Sequence, residues 1–168
     1  MKTKSVKVFF VLIFFLASVV CFAADPAEGF WLSVDEKTGK VTAGWQIYVQ
    51  GGVLYGRILS AADATPADKA TDCNDSYKGY PVAGKVSEMP IIGSIWIFGL
   101  VPDGKPGQWK NGNVIDPSDG KMYGCKIVFH SAGGKYNVDT LEMRGTIGPF
   151  GRSQFWRKAT EAQARGVR

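Results

Sequence analysis

Apolar and polar residues alternate along most of this chain with a period of two, which is typical of half-buried β-strands. The stretch 122–129 shows the pattern most clearly, because Tyr123, Cys125, Ile127 and Phe129 fall on one face. We expect that face to point into the core. The same period predicts eight strands, at 29–34, 41–49, 53–60, 94–100, 113–115, 122–129, 140–147 and 153–156.

Turn residues separate these segments. Asp116, Pro117 and Gly120 predict a hairpin turn, because Asp caps turns, Pro fixes φ and Gly tolerates positive φ. Short antiparallel strands joined by tight turns favour closure, which removes exposed sheet edges. We therefore predict one all-β domain over residues 25–158, a single antiparallel up-and-down β-barrel. One long loop or short helix is expected around 61–86 and a flexible tail at 159–168.

The first 24 residues have a different character. Lysines precede a short apolar run that ends in small residues, which predicts a secretory signal peptide over 1–24. The apolar run is too short to span a bilayer comfortably, and no later stretch has the required length. We expect an exported protein, periplasmic or secreted, with no transmembrane segment after cleavage. Lipid attachment at Cys21 is disfavoured, because Val20 stands where such signals normally have Gly, Ala or Ser.

Charge argues against nucleic acid as a partner. The formal charge of +5 includes three leader lysines, so 17 basic residues face 15 acidic ones after cleavage. A nucleic-acid surface needs clustered Lys and Arg, and the remaining charges are scattered.

Two cysteines, Cys73 and Cys125, remain once the leader is removed, and disulfides persist in exported proteins. A bond between them would close a loop that stabilises the fold by about 4 kcal/mol on the chain-entropy model. The alternative is two separate thiols, with Cys125 simply buried on its strand. Spacing alone leaves both readings open.

The first and last strands of the predicted barrel carry a pair of motifs. In lipocalins and their relatives, a Gly-x-Trp on the first strand packs beneath an arginine from the last strand. Gly29 and Trp31 match the first part, and Arg152 and Arg157, on either side of Trp156, lie where the partner belongs. Alternation puts the two arginines on opposite faces, so either is a candidate to close the barrel.

A wider series of motifs runs through the chain. They are, in order, Gly29-x-Trp31, Leu54-x-Gly56-Arg57-Ile58, Asp72-x-Asn74, Trp109-x-x-Gly112, Asp116-Pro117-x-x-Gly120-x-x-Tyr123-x-Cys125, Arg144-Gly145-x-Ile147-Gly148 and Gly151-Arg152-x-Gln154-x-Trp156. Together they resemble the small exported bacterial proteins of the domain of unknown function 2147 (DUF2147) family. The resemblance implies a lipocalin-like barrel and implies no reaction. This chain departs from the family's terminal Trp-x-Arg, since Lys158 stands in the arginine position.

Chemistry-bearing residues are sparse. His130 is the single histidine, and no Gly-x-Ser-x-Gly nucleophile turn occurs. His130, Cys73 and Cys125 lack the close ligand pairs that are typical of zinc sites. We expect neither a metal nor a cofactor, and no enzymatic activity.

Ligand binding has more support. The interior of a small barrel is either filled by side chains or hollow enough for one small ligand. Trp45 and Ile47 share one strand face, Trp96 and Phe98 share another, and these four are candidates to line a cavity for a small apolar or amphipathic molecule. In the alternative, they form ordinary core, and the protein is a filled-barrel envelope protein that acts through protein–protein contacts. An exposed aromatic patch would mark that second class.

Overall fold

Eight antiparallel strands close into a barrel in the computed structural model, which describes residues 24–168. Each strand pairs with the next in sequence, and the first pairs with the last. The strands are β1 (Gly29–Val34), β2 (Val41–Gln50), β3 (Val53–Ala61), β4 (Ile95–Pro102), β5 (Gln108–Ile115), β6 (Met122–His130), β7 (Thr140–Ile147) and β8 (Phe150–Ala159). The predicted all-β, up-and-down barrel is confirmed. Apart from Ala24, the predicted signal peptide lies outside the described residues.

Two strands extend three residues or more beyond their predicted bounds. β5 starts at Gln108 instead of 113. The pattern missed residues 108–112 because Asn111 has a φ of 60° and the pairing with β6 shifts between Trp109 and Gly112. That irregularity interrupts the period of two in the sequence while the strand continues. β8 runs from Phe150 to Ala159, because β7 pairs with it from one end to the other regardless of its mixed composition.

Because successive strands reverse direction, the connections alternate between two ends of the barrel. One end, called here the mouth, carries the turns at 35–40, 116–121 and 148–149 and the long connection at 62–94. The other, the closed end, carries residues 24–28, the turns at 51–52, 103–107 and 131–139, and the end of β8.

Large apolar side chains fill the barrel interior near the closed end. Trp45 stacks on Trp156 with ring centroids 4.8 Å apart, and Trp31 meets Phe129 edge-on at 6.2 Å. The buried interior residues also include Ile47, Leu54, Ile97, Leu100, Trp109, Ile127 and Leu141. Each buried side chain of this size contributes about 1.5–3 kcal/mol, so this packing is the main stabilising element of the fold.

Strand β4 changes face partway along its length. Ile97 faces the interior, where it pairs with Val114, and Phe98 on the opposite face pairs with Asn113. Gly99 has a φ of +75°, a backbone conformation that glycine adopts easily, and it lets Leu100 turn back to the interior opposite Leu54. Phe98 and Leu100, which a strict period of two would place on one face, therefore point to opposite sides of the sheet.

The long connection 62–94 covers the outer face of β4. It is loop apart from a 3₁₀ turn at Val86–Glu88, in agreement with the long loop predicted around 61–86. Tyr80 packs edge-on against Phe98 at 5.4 Å, and the indole N–H of Trp96 donates to the Ile91 carbonyl at 2.8 Å. The loop thus builds a second, smaller apolar core outside the barrel.

The C-terminal tail, predicted to be flexible, forms helix α1 (Glu161–Arg165). Thr160 and Gln163 form a capping box at its start. Ala164 is fully buried, and its carbonyl accepts a hydrogen bond of 2.7 Å from Ser60 Oγ. The five-residue helix is held by this docking, which its polar composition did not reveal.

Gly44 is what lets α1 lie directly on β2, since a Cβ at this position would overlap the Ala164 carbonyl. We expect Gly44→Ala to lower the free energy of unfolding by about 1–3 kcal/mol, the usual cost of overpacking. Chemical denaturation measures this free energy. In a chain that ends at Thr160 and lacks the helix, Gly44→Ala is expected to leave the free energy of unfolding almost unchanged. The control in the full chain is Gly145→Ala, whose Cβ would lie 3.8 Å from Tyr123 Cβ, an ordinary contact. An equal cost with and without the helix would contradict this account.

Candidate functional site

The segment 25–28 seals the closed end of the barrel. β1, which follows it, and β5 lie opposite each other in an eight-strand ring. The segment crosses from β1 to β5, where Asp25 accepts hydrogen bonds from the Gly107 backbone at 2.9 Å and from the Trp109 indole at 3.1 Å. The Ala27 carbonyl accepts the indole N–H of Trp31 at 2.9 Å. Access to the interior through this end is therefore blocked.

A lysine completes the seal. Lys158 Nζ lies 4.3 Å from the ring centroid of Trp31 and donates to the Glu28 carbonyl at 2.8 Å. A Cβ on Gly29 would lie 2.8 Å from that Nζ, so the Gly-x-Trp motif leaves room for the cation. Burial lowers the pKa of Lys158, and the negative charge of Asp139 offsets part of that shift.

Neither arginine proposed to close the barrel does so. Every second residue of β8 faces the interior, namely Gln154, Trp156 and Lys158. Arg157 lies between two of them and therefore points outward. Arg152 lies at the mouth, where its guanidinium is 3.7 Å from the Glu36 carboxylate. The cation over Trp31 is instead Lys158, the residue that replaces the arginine of the family's Trp-x-Arg motif.

The mouth holds a cleft of about 410 Å³ between strands β5 and β8. Its lining residues come from four consecutive strands and from the β5–β6 turn. They are Val114, Asp116, Tyr123, Met143, Gly145, Ile147, Phe150, Gly151, Arg152 and Gln154. Its volume lies within the range of about 300–1,000 Å³ that is usual for small-molecule sites.

The floor of this cleft is the top of the packed interior. Val114 and Met143 are each only 8% exposed. The indole N–H of Trp156 donates to Gln154 Oε1 at 3.0 Å, and Trp156 in turn lies on Trp45. A ligand therefore has room above this layer and none below it.

The rim of the cleft is unusually apolar for a turn. Phe150 is 74% exposed and Ile147 59%, and the two flank Gly148 and Pro149 at the tip of the β7–β8 hairpin. Gly148 has a φ of +54°, which allows the tight reversal. Exposed apolar side chains beside a cleft mark binding surfaces.

The polar wall of the cleft comprises Tyr123, Arg152, Gln154 and Asp116. Asp116 Oδ1 is already engaged, because it accepts hydrogen bonds from the Ser118 backbone at 3.0 Å and from the Ser118 hydroxyl at 2.7 Å. Its role is to hold the β5–β6 turn, in which Pro117 follows it and Gly120 adopts a φ of 67°.

Comparison with known proteins agrees with this architecture. Residues 29–158 match the family described as "Uncharacterized protein conserved in bacteria (DUF2147)". The chain belongs to the DUF2147 family. No curated protein matches the sequence of this family member.

A solved structure shares its fold. It is protein HP1028 from Helicobacter pylori, whose description places it in the lipocalin family. The two chains are 19% identical with a TM-score of 0.61, over 82% of this chain and 85% of the other. The lipocalin-like barrel is therefore shown. Within residues 24–168 no helix is long and apolar enough to cross a membrane.

The four aromatic and aliphatic residues predicted to line a cavity do not line this cleft. Trp45 and Ile47 face the interior but are buried in the packed layer below it. Trp96 and Phe98 contact the 62–94 loop outside the barrel. The residues that form the rim, Phe150 among them, were missed, although two apolar residues flanking a Gly-Pro turn are a recognisable signal in the sequence.

His130 belongs to a polar cluster on the outer face of the barrel. Its Nε2 lies 3.0 Å from Glu142 Oε2, and Ser153 Oγ donates to the other carboxylate oxygen at 2.6 Å. Burial raises the pKa of Glu142, but the hydrogen bonds from Ser153 and His130 outweigh it and the net pKa is lowered. The carboxylate separates hydroxyl from imidazole, so the order differs from a nucleophile–base–acid triad. Among residues 24–168 no three His, Cys, Asp or Glu side chains are grouped as metal ligands.

Both cysteines are free thiols in the structure, and both are buried. Cys125 lies inside the barrel, where burial raises its pKa to about 12. Cys73 lies in the long loop beside Gly120, and burial raises its pKa as well. Cys73 thus lies before the start of β6, whereas three residues of β6, about 10 Å of strand, precede Cys125. A disulfide needs Cα atoms within about 7 Å of each other. The two sulfurs are therefore not bonded.

We expect Lys158→Met to lower the free energy of unfolding by about 0.5–2 kcal/mol, because the cation–π contact and the bond to the Glu28 carbonyl are lost. Lys158→Arg keeps the cation and is expected to retain most of that stability. Lys40→Met, at an exposed lysine, is the matched control in chemical denaturation. A loss no larger for Lys158→Met than for Lys40→Met would show that the lysine does not stabilise this end.

A thiol titration tests the state of the cysteines. After incubation of chain 24–168 with oxidised glutathione, two thiols per chain are expected to react in denaturant and almost none in the native protein, because burial suppresses thiolate formation. A denatured chain without thiols, lighter by two hydrogens in mass spectrometry, would mean instead that Cys73 and Cys125 pair.

Proposed function

We propose that this DUF2147 member is an exported, non-enzymatic protein that binds one small apolar or amphipathic molecule in the mouth of its barrel. The observation that carries the proposal is the cleft of about 410 Å³ above a closed, packed floor. It is large enough for a small ligand, and one wall is apolar while the other carries a few polar groups, as is usual for ligand sites.

The packing of the interior favours a shallow binding site near the mouth rather than a deep one. The sealed end and the stacked Trp45 and Trp156 leave the lower barrel filled, so the ligand would be held near the surface and exchange readily. A shallow open site suits pick-up and release better than long-term storage. Export is proposed from the leader sequence, and a non-enzymatic role is proposed because the His130 cluster lacks the order that hydrolysis needs.

A second function remains in competition. Phe150 and Ile147 project from the β7–β8 tip, and exposed apolar side chains of this kind also mark protein interfaces. In that case the mouth would be a docking surface for another envelope protein, and the cleft would accept one of its side chains.

Binding of the neutral fluorescent probe N-phenylnaphthylamine tests the first function. We expect one probe per chain, and we expect Gly145→Trp to abolish binding by filling the cleft. Val101→Trp, at an exposed position of β4, adds the same bulk elsewhere and should leave binding unchanged.

The result separates the two functions. If both variants bind the probe like the original chain, the cleft is not the site. If no probe binds to any of them, the small-molecule function fails, and crosslinking through position 150 becomes the test of a protein partner.

A further inference from the structure

Two hydrogen-bond donors, the Arg152 guanidinium and the Gln154 amide, follow each other along the β8 wall of the mouth cleft. We propose, resting on the small-molecule function above, that the ligand is an acidic amphiphile, with its anionic head group held by Arg152 and Gln154 and its apolar part on Met143, Ile147 and Phe150. The proposal rests on which polar groups of the wall already have a hydrogen-bond partner and which do not.

Gln154 has its orientation fixed from below. An indole N–H can only donate, so the atom of Gln154 that faces Trp156 at 3.0 Å must be the amide oxygen. The amide NH₂ then lies on the opposite side of the group, with both hydrogens available. Because Trp156 is 1% exposed and stacked on Trp45, this orientation is held rigidly.

Arg152 follows the same alternation on β8 and lies two residues nearer the rim. Among residues 24–168 it pairs with Glu36 alone, at 3.7 Å, with side chains that are 66% and 41% exposed. An exposed pair of this length contributes little, so an incoming anion would replace it at low cost. A guanidinium binds a carboxylate or phosphate through two parallel hydrogen bonds.

Two acceptor atoms of the cleft are already engaged. Asp116 is the one carboxylate in the lining, and Oδ1 serves the backbone and hydroxyl of Ser118. The amide oxygen of Gln154 serves Trp156. A ligand that accepts hydrogen bonds finds a guanidinium and an amide together on β8, whereas an amine finds a single remaining carboxylate oxygen, Asp116 Oδ2.

The apolar wall faces these donors across the cleft. Met143 lies at the floor and is 8% exposed, and Ile147 and Phe150 lie at the rim. A short chain or ring can cover this surface while the head group stays beside β8. The cleft volume of about 410 Å³ limits the ligand to a single short tail.

Matched ten-carbon probes test the head-group preference by isothermal titration. We expect decanoate to bind at least about tenfold tighter than decanol, which corresponds to about 1.4 kcal/mol, and decylammonium to bind more weakly than either. Arg152→Gln should remove the preference for decanoate and leave the affinity for decanol within about twofold. Arg157→Gln removes the same charge from the outer face of the same strand and should change neither affinity.

Decyl phosphate identifies the acid. Tighter binding of decyl phosphate than of decanoate assigns the site to phosphate-bearing amphiphiles, and the reverse order assigns it to carboxylates; both support the proposal. Equal binding of decanoate and decanol, or an equal loss in Arg152→Gln and Arg157→Gln, would overturn the anionic head group and leave the small-molecule function standing. If neither N-phenylnaphthylamine nor any of the four ten-carbon probes binds, both inferences fail together.

Discussion

A sheet closes into a barrel only if its first and last strands pair, and here that pairing consists of three residue pairs between 30–32 and 157–159. The middle pair is Trp31 opposite Lys158, so the cation–π contact lies at the seam itself. The same lysine holds the Glu28 carbonyl, and the segment before β1 can then cross to Trp109 on the far side. The seam, the seal of the closed end and the packing of the tryptophans therefore depend on one another.

Local backbone irregularities decide which side chains enter the interior. Gly99 and Asn111 both have positive φ, and at this point β4 and β5 shift the face that each residue presents. As a result Leu100 joins the interior, while Phe98 is left outside and is covered by the 62–94 loop. That loop would otherwise have no apolar surface to pack on. The irregularity thus divides the apolar residues between two cores without leaving either exposed.

The interior changes character from one end to the other. Near the closed end it is filled by aromatic rings, and near the mouth it leaves a cleft, with Gly145 in the lining. Gln154 lies at the boundary, with its oxygen turned to the buried Trp156 and its NH₂ turned to the cleft. The main packing and the proposed binding site therefore lie at different ends of the same barrel, so the mouth can vary without disturbing the core.

The sequence by itself determined the all-β class, the eight strands, the turn at Asp116 and the motif by which the family is recognised, because alternation and turn chemistry are local properties of the chain. It also indicated that Lys158 occupies the position of the missing arginine. Tertiary structure alone decided that Lys158 covers Trp31, that the tail docks as a helix on Gly44, and that Phe98 lies outside the barrel. These outcomes depend on register, on backbone shifts at single residues and on contacts between segments distant in sequence, and a period of two carries no information about any of them.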